Sequence, residues 1–144
     1  GYDAGSLMLK VNSGGGTFSV TPALRLKPAV FGATQHTPVL YQDHLFGVRP
    51  NGEMVCLDLN GNVVWASGGK YAFGLGPFMI ADGLLFAMND SGLLTLMEAT
   101  PSGFRPLAQA KVLEGHDSWA PMALAGGRRI ARDMTRMVCL DVRG

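Results

Sequence analysis

The chain has 144 residues, room for one domain, with 47% hydrophobic residues and a net charge of +1. That apolar fraction excludes a disordered tail, and the balanced charge leaves no footprint for nucleic acid or an anionic membrane surface. Its apolar runs fall far short of the roughly 20 residues that span a bilayer, so no membrane insertion is expected.

Twenty glycines and eight prolines in so apolar a chain imply many turns between short strands. Leu7 to Val11 reads as one strand, and Thr17 to Leu26 as another. Ser13-Gly14-Gly15-Gly16-Thr17 joins them as a hairpin turn, since it lacks the lysine and helix of a phosphate loop. Then a repeat begins. Thr37-Pro38-Val39-Leu40-Tyr41 returns as Gly76-Pro77-Phe78-Met79-Ile80 and as Ala120-Pro121-Met122-Ala123-Leu124, a period of about 40 residues. After each comes a turn, a second apolar run (Leu45–Val48, Leu84–Met88, Ile130-Ala131) and another turn, with Asn51-Gly52 and Ser91-Gly92 in the first two copies. Asn-Gly between alternating apolar runs is a strong hairpin signal. A third strand follows, and Val55-Cys56-Leu57-Asp58 is identical to Val138-Cys139-Leu140-Asp141. A fourth is expected at Asn62 to Trp65 and at Phe104 to Ala110, while the third copy stops at Gly144, opposite Gly61. No stretch sustains a helical period.

Four-stranded antiparallel repeats of this length are β-propeller blades, so the fold class expected is all-β. The chain holds about three and a quarter blades, an incomplete ring. Residues 1–30 form a partial blade, 31–70 and 71–113 full blades, and 114–144 a second partial blade. Such an arc would close by self-association, most simply as a homodimer. By strand exchange, the leading two strands of one copy would complete the last blade of the next.

Cys56 to Trp65, with its aspartate, glycine turn and tryptophan, resembles the blade-docking turn of quinoprotein-like (PQQ-type) propeller repeats, and Thr37-Pro38-Val39 resembles that family's strand opening. The resemblance implies a C-terminal fragment of such a propeller. Asp58 and Trp65 would be a complete docking pair, and Asp141 would repeat the aspartate. In the second repeat Glu98 replaces the aspartate and no tryptophan follows, so docking there would rest on Phe104 and Leu107. The family includes an outer-membrane assembly branch that binds no quinone. No PQQ is therefore expected, and the resemblance points to the bacterial periplasm or envelope, although no leader is visible in the sequence.

The cysteines, far apart and at equivalent positions, read as small core residues rather than a disulfide or zinc pair. No G-x-S-x-G or H-E-x-x-H motif occurs. His36 stands two residues before Pro38, as Trp119 stands before Pro121, and His116 and Asp117 enter the last repeat. Loops entering the inner strands converge on the channel mouth. Gln35, His36, His116 and Asp117 would suit zinc or a similar divalent ion, with His36 and His116 as ligands and Asp117 orienting a histidine. Two function classes follow: a non-catalytic binding or scaffold propeller, or a metal-dependent ester or phosphoester hydrolase sited where copies meet.

Overall fold

Most hairpins form where glycine or Asx-glycine pairs interrupt the apolar runs, while Gln42 and Asp43, at φ of 48° and 57°, make the same turn without glycine. The computed structural model describes residues 2–143; Gly1 and Gly144, the outer limits of the expected units, lie outside the described residues. Gly15 and Gly16, at φ of 58° and 78°, turn β1 (Ser6–Gly14) into β2 (Thr17–Leu26). Two consecutive positive φ values give the turn whose twist suits paired strands. The first full sheet contains β3 (Val39–Tyr41), β4 (His44–Val48), β5 (Met54–Asp58) and β6 (Val63–Ala66). The second contains β7 (Phe78–Ala81), β8 (Leu84–Met88), β9 (Leu93–Glu98) and β10 (Pro106–Lys111). The last sheet contains β11 (Ala123–Ala125), β12 (Arg128–Arg132) and β13 (Met137–Asp141). Each sheet is antiparallel with neighbours in chain order, and no helix occurs among the described residues. Two, four, four and three strands make an all-β, incomplete propeller.

Side chains alternate across each strand, so every sheet has two faces. In the first full sheet, Phe46, Val48, Met54, Cys56 and Trp65 share the forward face, which packs on the second sheet through Leu85, Ala87 and Met97. Val55 and Leu57 face backward, with Phe31, toward the leading hairpin. Both faces are apolar because both are covered. The loops link the sheets: Phe73 N–H donates to Gly52 O at 2.7 Å, and Val112 N–H to Gly92 O at 3.0 Å.

Trp65 fastens the first junction. Its Nε1–H donates to Thr100 O, in the next sheet's outer turn, at 2.8 Å, and its ring lies 5.9 Å from Phe46 and 5.8 Å from Phe104. Phe104 therefore docks backward, on Trp65 and Tyr71, rather than onto the last sheet. Leu107, expected to dock beside it, is 54% exposed. The β9–β10 register shifts between Pro106 and Ala108, as β5–β6 shifts between Cys56 and Leu57. Leu107 is thus the bulged residue, the counterpart of exposed Val64, and the tryptophan's own counterpart is Ala108.

The second junction is built differently. Met88, Leu113 and Ala131 form its small apolar centre. At the strand position held by Leu45 and Leu85 stands Arg129, 1% exposed. Its guanidinium lies 4.2 Å from the Phe86 ring and donates from Nη2 to Met122 Sδ, while Nε and Nη1 have no partner. Burial pushes its pKa down to about 10. A buried charge without a counter-ion destabilises its surroundings. Arg129→Leu restores the residue of the other two repeats, and we expect it to raise stability by about 1–4 kcal/mol. A urea midpoint that falls instead would mean that stacking on Phe86 outweighs the desolvation.

Candidate functional site

The repeated proline limits where each inner strand can start, because proline has no N–H to donate to the ladder. The side chains around it consequently recur in space. Two residues before the proline stand His36, Leu75 and Trp119, and one residue after it stand Val39, Phe78 and Met122. All six line one cavity of about 370 Å³, together with Gln35, Thr37, Pro77 and Pro121. The cavity lies where the three inner strands begin.

Trp119 is 39% exposed yet fixed, since its Nε1–H donates to Asp90 Oδ1 at 2.8 Å. The same oxygen accepts from Leu75 N–H at 2.8 Å. Gly74, at φ 58°, permits this approach because a Cβ there would collide with the Asp90 carboxylate. Asp133 does the equivalent work in the last repeat: Oδ2 accepts from Gly115 N–H at 2.9 Å, and Oδ1 from the Thr135 and Arg136 N–H groups at 2.7 Å each. The Thr135 backbone bond, with those of Arg136 and Gly115, holds its pKa down at about 2. Sequence reasoning missed Asp90, Asp133 and Arg129. Each follows one of the second apolar runs or breaks it, the signal that could have flagged them.

His36 forms the wall between this cavity and a second groove of about 530 Å³ beside the leading hairpin. Its ring lies 5.8 Å from that of Phe78. Neither ring nitrogen completes a well-formed hydrogen bond. Burial lowers its pKa below the usual 6.5, partly offset by the Gly76 and Leu75 backbone and the Asp90 charge. The imidazole is neutral near pH 7.

His116 and Asp117 do not line the cavity. The His116 side chain is 80% exposed, and its Nδ1–H donates to Asp117 Oδ2 at 2.8 Å. Asp117 holds a φ of 55°, uncommon for a residue with a side chain. Of the expected ligand set, the structure thus brings Gln35 and His36 to the cavity and pairs the other two outside it. Among the described residues no group of three His, Cys, Asp or Glu could hold a metal.

The docking residues also have definite places. Asp58 Oδ1 accepts from Asn60 and Asn62 N–H at 2.9 and 2.8 Å, and the Asn62 side chain and backbone hold its carboxyl below the usual range. Asp58 therefore shapes the turn that presents Trp65, and only Trp65 crosses to the next sheet. Asp141, one turn from the open end, pairs with Arg143 through an Nε–H bond of 2.9 Å.

No family model matches the chain, and no curated protein matches it. Solved structures do. BamB from Moraxella catarrhalis, a β-propeller, superposes with a TM-score of 0.68 at 13% identity, covering 97% of this chain and 44% of its own. The computationally designed Ika4 protein gives a TM-score of 0.54 at 14% identity, over 78% of this chain and 70% of its own. The designed Ika8 protein gives 0.51 at 9% identity, over 87% and 39%. The chain spans less than half the length of BamB. At these identities the likeness establishes the propeller fold.

The sign of the histidine effect follows from the direction of its shift. The unfolded chain binds a proton near pH 6.5, whereas the folded one binds it only at lower pH. Stability is full above pH 6.5 and declines as pH falls through the folded value. A second, separate loss follows below about pH 4, where Asp133 protonates in the unfolded chain first. Urea midpoints at pH 8, 6.5 and 5 should fall for the natural chain and stay flatter for His36→Leu. Equal slopes in both proteins would overturn this account of His36.

Proposed function

We propose that the chain is a binding or scaffold propeller arc of the PQQ-like repeat type, without catalytic activity of its own, that self-associates into a closed ring. The observation that carries this reading is the cavity: a concave, mostly apolar wall built from repeat positions, with Trp119 held rigidly against it. Rigid aromatic side chains in concave surfaces are recurrent binding anchors. Association is supported by the open ends. Among the described residues the leading hairpin pairs with no further strand, and the last sheet has three strands. Free edges and bare apolar faces favour pairing with another chain. Sedimentation at micromolar concentration should show a discrete oligomer, a dimer in the simplest case, that dissociates on dilution. A stable monodisperse monomer would sink the ring.

A second reading, metal-dependent hydrolysis of esters or phosphoesters, would use His116. With Nδ1–H committed to Asp117, Nε2 is free for an ion, the arrangement in which a carboxylate orients a ligating histidine. A catalytic zinc needs three protein ligands, so the ion would have to draw on two copies, with His36 as a further donor. Elemental analysis of the oligomer separates the readings. On the hydrolase reading the protein carries zinc or a similar ion, and His116→Ala removes both metal and activity while leaving the oligomer intact. A metal-free oligomer leaves the scaffold reading standing.

A further inference from the structure

We propose that the cavity at the inner strands takes a small apolar monocarboxylate, whose carboxylate displaces the Met122 thioether and pairs with the buried Arg129 guanidinium. This rests on the binding reading above and names the ligand class.

Arg129 is a buried cation that the packing of the sheets does not require, since leucine fills its strand position in the other two repeats. Its side chain is 1% exposed, Nε and Nη1 have no partner, and Nη2 donates only to Met122 Sδ. A thioether is a weak, neutral acceptor. None of the ion pairs among the described residues includes Arg129. The Phe86 ring, 4.2 Å from the guanidinium, meets its face and leaves those N–H groups unsatisfied.

Because so little of Arg129 reaches solvent, an anion can pair with it only by moving a side chain that covers it. Met122 is the one suited to move. It lines the cavity, and it also packs against the Met88, Leu113 and Ala131 centre of the second junction. Met122 is thus the partition between the cavity and the junction that buries the guanidinium. Methionine adapts readily, with three rotatable bonds and no branch. Its departure frees Nη2, the nitrogen shared by both edges at which a guanidinium grips a carboxylate with two bonds. A weak bond to sulfur gives way to charge-assisted ones. The guanidinium is desolvated already, so its share of the desolvation is not incurred again on binding.

The other walls fix the rest of the ligand. A cavity of about 370 Å³ lies toward the small end of ligand sites, which run from roughly 300 to 1,000 Å³. Val39, Leu75, Phe78 and the broad face of Trp119 favour an apolar body, such as one ring on a short tether. Asp90, which holds Trp119 through Nε1–H, repels a second negative charge at that end and directs the carboxylate toward Met122. One guanidinium in apolar surroundings balances one charge, so a monocarboxylate suits it better than a phosphate dianion.

The test titrates the full chain with hydrocinnamate and with hydrocinnamyl alcohol, its neutral counterpart, and follows binding by calorimetry at pH 8, where the His36 imidazole is neutral. We expect the natural chain to bind the acid about tenfold or more tighter than the alcohol. Arg129→Leu brings the two ligands level, and Arg129→Lys keeps part of the preference. Met122→Ala removes the partition and widens the preference. Circular dichroism checks that each variant folds. Equal binding of acid and alcohol by the natural chain overturns the carboxylate subsite and leaves the cavity reading standing. A preference that survives Arg129→Leu assigns the charge to another group and equally overturns it, and one that Met122→Ala narrows overturns the route through the partition. Binding of neither ligand at millimolar concentration overturns the proposal, while sedimentation tests the self-associating scaffold independently.

Discussion

Both four-stranded sheets in this chain are apolar on both faces, and that one constraint generates the rest. A two-sided sheet cannot stand at the surface, because burying apolar area supplies the main favourable term in folding, roughly 25 cal/mol per Å². It has to lie between two neighbours. Sheets that are all sandwiched in this way form either an endless stack or a ring. Right-handed twist, accumulated from sheet to sheet, favours the ring. The loop hydrogen bonds from Phe73 to Gly52 and from Val112 to Gly92 fix the spacing between sheets once face packing has set their order.

The two inner junctions show how much latitude that constraint leaves. At the first, Trp65 combines a large buried ring with one directional bond to Thr100, so packing and orientation come from a single side chain. At the second, Ala108 stands in the tryptophan's register position and offers neither. A buried guanidinium takes the place of a leucine there. The last sheet is consequently held by fewer apolar side chains, and free energies of local opening track that number.

Strand positions were legible in the sequence because they depend on local chemistry. Gly52, Gly15 and Gly16 accept the positive φ of tight turns, and the unbroken apolar run Leu84 to Met88 between glycine turns marks a buried strand. What could not be read locally was which face of a strand meets which neighbour. Cys56 and Cys139 have identical flanks and opposite exposure, a difference that arises only from the sheet next door. Leu107 misled for a related reason: one bulge shifts the outward residue by a single position, and nothing in Phe104 to Ala110 marks it. At the site, the proline-relative positions of His36 and Trp119 were legible. The separation of His116 from the cavity was not, because a loop's path depends on carboxylates such as Asp133 that pin it from another strand.

The cavity inherits its form from the repeat and its character from departures within it. The position two residues before each proline is a wall position in every repeat, whatever residue fills it. Leucine there continues the apolar lining, histidine adds a neutral polar ring, and tryptophan adds a broad face that Asp90 holds in place. The backbone carries the geometry, so each of these side chains can change without disturbing the sheets behind it. This separation of scaffold from wall is why a propeller's fold does not determine its ligand.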